Sequence, residues 1–275
     1  MTLTVTSVNL NGIRAAHKRG FLSWLHVSDT DVLLVQEVRA PEEISREIMG
    51  EEWDSVWVPC RIKGRAGVGV AVRRGRARID GQPRLVLDDA ESDVDSGRWL
   101  EATVSREGGG VPVRVVSAYF HSGEKDTPKQ DAKMAHLPRI GNRMAELIAE
   151  EANGGVSSLV CGDFNVVRSR CDIKNWTPNH NKRAGVLDEE IAFLNRWVDE
   201  GWRDTVRDLA GDTQGPYSWW SWRGQAFVNN AGWRIDYQYA TPRLGALARS
   251  FDIGRAPDYD ARFSDHAPVL VTYDI

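Results

Sequence analysis

Little sulfur, no long apolar run and no excess of positive charge set the first limits on this chain. Cysteine occurs three times in 275 residues, as Cys60, Cys161 and Cys171. None of them forms a Cys-x-x-Cys pair, which argues against a zinc knuckle or a disulfide framework and fits a reducing compartment. No apolar stretch approaches the ~20 residues that cross a bilayer. Met1-Thr2-Leu3-Thr4-Val5 lacks the charged region and apolar core of a secretory leader. No membrane partner and a cytoplasmic location are therefore expected. The formal net charge of −4 argues against coating nucleic acid by charge alone, though not against a local basic groove. Arg61-Ile62-Lys63-Gly64-Arg65 and Arg73-Arg74-Gly75-Arg76-Ala77-Arg78 are basic clusters, read first as solvated loop charge.

What the chain does hold is tryptophan, eleven in all. Trp219, Trp220, Trp222 and Trp233 crowd one region. Strands are predicted over Leu3–Val8, Asp31–Val35, Trp53–Pro59, Val68–Arg73, Trp99–Val104, Val111–Tyr119, Val156–Cys161, Trp233–Tyr239 and Val269–Tyr273. Helices are predicted over Phe21–Leu25, Glu42–Met49, Asp131–Asn153 and Asp188–Asp199. The third carries an apolar stripe of Met134, Leu137, Met144, Leu147 and Ile148 and stops at Gly154-Gly155. With no linker, low-complexity tract or repeat, residues 1–275 read as one α/β domain of two packed sheets with outer helices.

Polar clusters adjoin the apolar runs. Gly162-Asp163-Phe164-Asn165 follows Ser158-Leu159-Val160-Cys161, and Ser264-Asp265-His266 precedes Ala267-Pro268-Val269-Leu270-Val271. Glu37 follows Leu34-Val35-Gln36. Each residue has a plain reading: Glu37 as a strand-end carboxylate, Asn9 and Asn11 as turn formers before Gly12, Asp163 and Asn165 as a turn after a strand, and His266 as a structural histidine. Asp163 and Asn165, two apart on an extended segment, face the same way. Hard oxygen donors gathered at one sheet rim suit magnesium or manganese.

In order along the chain, Ser7-Val8-Asn9-Leu10-Asn11-Gly12-Ile13-Arg14-Ala15, Leu34-Val35-Gln36-Glu37, Ser117-Ala118-Tyr119, Gly162-Asp163-Phe164-Asn165, Gly232-Trp233-Arg234-Ile235-Asp236-Tyr237 and Ser264-Asp265-His266 resemble the exonuclease III family of abasic-site endonucleases. That family lies within the DNase I-like endonuclease/exonuclease/phosphatase superfamily. The resemblance implies a four-layer αββα sandwich, two mixed sheets flanked by helices, with the site at one sheet edge. It implies Mg2+, with Mn2+ as a substitute. It places Glu37 as principal metal ligand and Asn9 near the metal. Asp265 is in the metal shell or orients it. Asn11 departs from the aspartate of some relatives and removes one charge there.

By the same resemblance, Asp236 orients His266, Asp163 moves a proton, Asn165 holds a phosphate oxygen, and Tyr119 serves the leaving group or a phosphate oxygen. Asp163 and Asn165 also count as metal-site candidates. Whether Asp163 or His266 activates water stays open. Trp219, Trp233 and Ile235 match a pocket for a base-less sugar, with plain core packing the competing reading for Trp220 and Trp222. Arg14, Asn175, Lys182, Arg183 and Arg223 are DNA-contact candidates. The expected partner is double-stranded DNA with abasic sites or blocked 3′ ends, handled by a monomer and nucleoid-associated if the source is bacterial. A same-fold phosphatase on a lipid or small phosphate ester is the alternative. A non-catalytic module is disfavoured, because Glu37, Asp163, Asn165, Asp236, Asp265 and His266 are all present.

Overall fold

The computed structural model describes residues 2–275. One six-stranded sheet runs, in spatial order, β11 (Ala248–Ile253), β12 (Val269–Asp274), β1 (Thr2–Asn9), β2 (Val32–Gln36), β4 (Val68–Arg73) and β3 (Trp53–Val58). It joins strands from both ends of the sequence. The other sheet runs β5 (Ala77–Arg84), β6 (Trp99–Arg106), β7 (Val113–Tyr119), β8 (Ser157–Asp163), β10 (Asp236–Ala240) and β9 (Arg203–Asp204). Both sheets are mixed: β1–β2 and β7–β8 are parallel, and the other pairs are antiparallel.

Strand alternation decides what each face meets. Leu3 and Val5, Val32 and Leu34, Val113 and Val115, and Leu159 and Cys161 point into the core between the sheets. Their neighbours Val8, Leu33, Val35, Val116, Ala118 and Val160 point outward. On the first sheet the outward set meets α1 (Ile13–Lys18), α2 (Phe21–Val27) and α3 (Glu42–Met49) through Ile13, Ala16, Phe21, Leu25 and Met49. On the second it meets α4 (Pro128–Ala152) through Leu137, Ile140, Met144 and Leu147. A second helix on that face, Asp188–Asp199, adds Ile191, Leu194 and Trp197. It is α6, preceded by the one-turn α5 (Trp176–Asn179). Two short helices, α7 (Thr205–Ala210) and α8 (Pro242–Gly245), lend Val206 and Leu244 to the inter-sheet core. The layers are helix, sheet, sheet, helix, as expected. Among the described residues no helix is long and apolar enough to cross a membrane.

The differences from the sequence reading have local causes. Ala77–Arg84 is an unanticipated strand, and the arginines around it are not free loop charge. Arg73, Arg74, Arg76 and Arg78 pair with Glu52, Asp54, Asp31 and Asp80 at 2.7, 2.6, 2.8 and 2.9 Å. Strand β10 begins at Asp236 rather than Trp233, because Arg234 N–H turns away to the Asp172 carbonyl at 2.7 Å. Edge strand β11 has no buried residue, so it lacks an apolar signature.

Gly162 lets β8 lie against β7 immediately before the site. Its φ is +144°, and a Cβ there would come within 1.8 Å of the Ala118 carbonyl oxygen. Gly162→Ala is expected to destabilise the fold by roughly 3 kcal/mol or more through backbone strain and displacement. Urea denaturation, read as a lowered midpoint at unchanged slope, checks this.

Candidate active site

The same alternation that builds the inter-sheet core places polar residues where that core ends. Asn9, Gln36, Ser117, Tyr119 and Asp163 continue the inward-facing positions of their strands. In the second sheet Tyr119 lies beside Asp163, and Asp163 beside Asp236. Three candidate side chains from three strands thus form one row. In the first sheet Asn9 lies beside Gln36, and Glu37 follows it. Gln36 ties the sheets together just below the rim: its Nε2 donates to Ser7 at 3.2 Å and Ser117 at 3.0 Å.

Asn9 spans the gap above. Its Nδ2 donates to Glu37 Oε1 and to Asp163 Oδ2, both at 2.9 Å. Its Oδ1 accepts from Asn11 N at 2.9 Å, so the turn-forming reading of Asn9 also holds. Asp163 takes two further donors from Asn165, the backbone N–H at 2.9 Å and Nδ2 at 3.1 Å. Here the strand argument needs correction. Asn165 lies beyond β8 with φ +52°, and an Asx-type turn, not strand periodicity, brings its side chain back to Asp163.

His266 Nδ1 faces Asp236 at 2.9 Å. Asp236 also accepts from Ser218 Oγ at 2.6 Å. The opposite ring nitrogen, Nε2, stands 3.8 Å from Asp163 Oδ2. Burial disfavours the charged form of His266, but the Asp236 and Asp163 carboxylates outweigh it and push the imidazole up to about 10. Burial raises Asp163 to about 7 against the opposing pull of His266, with Asp236 and Glu37 adding repulsion. Tyr119 is pushed well above its ordinary value by burial and by the Glu37 and Asp163 charges. Asp265 accepts from Asn11 Nδ2 at 2.9 Å and from Trp219 Nε1 at 3.1 Å. Burial would raise it, yet the His266 charge and these donors hold it below the ordinary carboxylate value.

Buried carboxylates this close call for a cation. Glu37 and Asp163 accept from one NH2 group and are 8% and 1% exposed. This all-oxygen pair, with the amide oxygens around it, fits a hard divalent ion. Asp163, Asp236 and His266 also come within ligand spacing, but the Asp236–His266 contact is a hydrogen-bonded pair. The Glu37 side is therefore the better seat for a metal.

A model of the endonuclease/exonuclease/phosphatase family matches residues 6–266. The chain belongs to this family. An exodeoxyribonuclease of Streptococcus pneumoniae is 35% identical over 276 residues, covering 95% of this chain and 93% of that protein. An exodeoxyribonuclease of Bacillus subtilis is 28% identical over 274 residues, covering 99% and 100%. Among solved structures, an AP endonuclease from Archaeoglobus fulgidus superposes with TM-score 0.78 at 22% identity, covering 99% of this chain and 100% of that one. The exonuclease III resemblance read from six short motifs is thus borne out, as is the sandwich.

Beside this family core, Trp219 and Trp233 exchange backbone hydrogen bonds, each 2.9 Å. Their rings meet edge to face at 5.6 Å, and the Trp219 ring lies 6.5 Å from that of His266. Both are half-buried, and Ile235 is 5% exposed behind them. Trp220 is core, 2% exposed. Trp222 is not: it is half-buried, with the Arg262 guanidinium 3.9 Å from its ring centroid. Arg14, Asn175, Lys182, Arg183 and Arg223 are all exposed. The loop carrying Asn175, Lys182 and Arg183 docks beside the tryptophans, since Ile173 bridges Trp233 and Lys174 N–H donates to the Gly232 carbonyl at 3.1 Å.

Three contributors escaped the sequence reading. Arg39 forms an ion pair with Glu37, Ser218 holds Asp236, and Arg98 lies 4.7 Å over the Tyr119 ring. Only Ser218, directly before Trp219, adjoined a segment already singled out.

The His266 shift has a testable sign. The folded state binds this proton more tightly than the unfolded chain. The resulting stability is complete below the unfolded value near 6.5 and disappears as pH rises through about 10. Asp236→Asn removes the main attractive charge, so His266 is expected to titrate at lower pH. NMR titration of the imidazole, wild type against variant, measures this. An unchanged titration would show that the pair does not set the charge.

Proposed function

We propose that this chain is a Mg2+-dependent DNA phosphodiesterase, with Mn2+ as a substitute, that cuts 5′ to abasic sites and trims 3′ ends of duplex DNA. The observation that carries the reading is the row Tyr119–Asp163–Asp236 with His266, facing Asn9 and Glu37 and flanked by the Trp219–Trp233 pair. The names of the exodeoxyribonuclease relatives support DNA as substrate.

Each group has a role that its contacts permit. Glu37 and Asp163 would hold the metal, with Asn9 and Asn165 positioning them. The metal, when bound, supplies charge stabilisation at the phosphoryl oxygens. Asp236 keeps His266 protonated with Nε2 directed inward, so the imidazolium stabilises a phosphate oxygen in the transition state. Asp163, between the Glu37 side and His266 Nε2 at 3.8 Å, is placed to orient an attacking water. Tyr119 keeps its hydroxyl proton and can donate it to a phosphate or leaving oxygen. Asp265, with both oxygens engaged, orients Asn11 and Trp219 rather than the metal directly. The tryptophan edge pair receives a flipped, base-less sugar that a full nucleotide would overfill. Arg14, Asn175, Lys182, Arg183 and Arg223 meet phosphates.

A labelled duplex with one tetrahydrofuran site tests this. A nick is expected with Mg2+ and none with EDTA. Glu37→Ala and His266→Ala are each expected to lower the cleavage rate at least about a hundredfold. Trp233→Ala is expected to reduce abasic-site cleavage while Mg2+ affinity holds. Folded protein that gives no Mg2+-dependent nick, yet hydrolyses a small phosphate ester, would replace the DNA reading with the phosphatase one.

A further inference from the structure

A second cluster of ligating side chains lies outside the row described above. Asp95, His121 and His136 are each buried, and one ligand atom from each lies within 4.8 Å of the other two. They come from three separate segments: the loop before β6, the segment just after β7, and the interior of α4. His121 Nε2 faces Asp95 Oδ1 at 2.9 Å. The His136 ring meets the His121 ring at 5.1 Å between centroids, and its Nδ1 is buried with no hydrogen-bond partner.

We propose that Asp95, His121 and His136 bind a borderline divalent transition cation, of which Zn2+ is the type. A closed hydrogen-bonded pair explains His121 and Asp95 but leaves His136 Nδ1 buried and unpartnered, which native interiors avoid. A cation accounts for all three. Two imidazoles and a carboxylate form the donor set preferred by zinc rather than by magnesium, and three protein ligands leave a fourth position for water.

The surrounding groups fit the outer sphere of such a site. Asp95 Oδ2 accepts from Ser92 Oγ at 2.8 Å and from Arg139 Nη1 at 2.9 Å, which leaves Oδ1 to the ligand side. Arg139 is itself neutralised by Asp88 at 2.5 and 2.8 Å. Donors that orient a ligating carboxylate in this way are the usual second layer of a metal site. The ion would pin the Asp95 loop and the end of β7 to α4. That loop leads into Arg98, which lies over Tyr119, so an ion held there would brace one wall of the catalytic row.

The test uses full-length protein stripped of metal and titrated with Zn2+ or Co2+. Because the catalytic carboxylates can also bind these ions, the titration is run in a Glu37→Ala background and again with His136→Asn added. One equivalent is expected in the first and loss of it in the second. Visible absorption of low-coordinate Co2+ is expected in the first alone. Zn2+ at about a hundred times its Kd is expected to raise Tm by on the order of 5 °C only where His136 is intact. If His136→Asn does not fold, Asp95→Asn and His121→Gln carry the same comparison. Equal binding with and without the three side chains, or no binding in the Glu37→Ala background, overturns the proposal.

Discussion

One amide group joins the two sheets where their chemistry lies. Asn9 Nδ2 donates simultaneously to Glu37 of its own sheet's rim and to Asp163 of the other. Neither carboxylate could be held this way by strand pairing, because they belong to different sheets. The bridge requires that Asn9 be the inward-facing last residue of β1. It also requires that β8 end at the same height. Gln36, bonded to Ser7 and Ser117 one layer below, fixes that height. A one-residue slip of β1 would turn Asn9 out toward the helices and separate the two carboxylates.

Bringing carboxylates together out of water is unfavourable, and the surrounding chain offsets it in identifiable ways. His266 contributes a positive charge between Asp236 and Asp163. Arg39 contributes another at Glu37. The backbone carries part of the cost: Asn11, Glu37 and Asn165 all adopt positive φ, at 47°, 50° and 52°. Such conformations are disfavoured for side-chain-bearing residues and persist where packing overdetermines them. A turn in that region is what swings Glu37 back over Asn9 and Asn165 back over Asp163. Strain, charge and hydrogen bonds thus act on the same few atoms, leaving a place whose remaining deficit of positive charge favours a cation.

The parts legible from sequence were those with a period or a fixed motif. The inward-facing residues of β1, β2, β7 and β8 follow from alternation. Glu37, Asp163, Asp236 and His266 follow from motifs that the structure assembles. What escaped was what depends on distant partners. Arg39 reads as a solvent arginine until Glu37 turns toward it. Arg73, Arg74 and Arg76 read as a basic loop until β3 and the segment before β2 supply acids. Asn165 was placed beside Asp163 for the wrong local reason, because an Asx turn and a strand bring residues two apart together with different geometries. His121 and His136, fifteen positions apart on different elements, carry no signal of contact in any short window.

The tryptophan wall shows how far the site depends on a scaffold without chemistry of its own. Trp233 projects from a segment that leaves the sheet, so isolated bridges to Trp219 and Ile173, not a sheet ladder, pair its backbone. It is held from behind. Arg234, fully buried, binds Asp172 at 2.7 Å and Asp204 at 2.8 Å, and Arg207 joins the same Asp172 at 2.6 Å. Removing one member would leave an uncompensated buried charge, so the network resists local rearrangement. Asp172 opens the loop that bears Asn175, Lys182 and Arg183, and Arg234 sits between Trp233 and Ile235. One ion network therefore sets the position of Trp233 relative to the exposed loop of Asn175, Lys182 and Arg183. On the other side, Trp219 is tied to Asp265, which Asn11 also holds. An aspartate in place of Asn11 would face Asp265 with like charge; the amide instead donates to it and lets Asp265 keep its charge while anchoring the indole. The Trp219–Trp233 pair beside His266 thus rests on two polar anchors, neither of which has to touch a reacting atom.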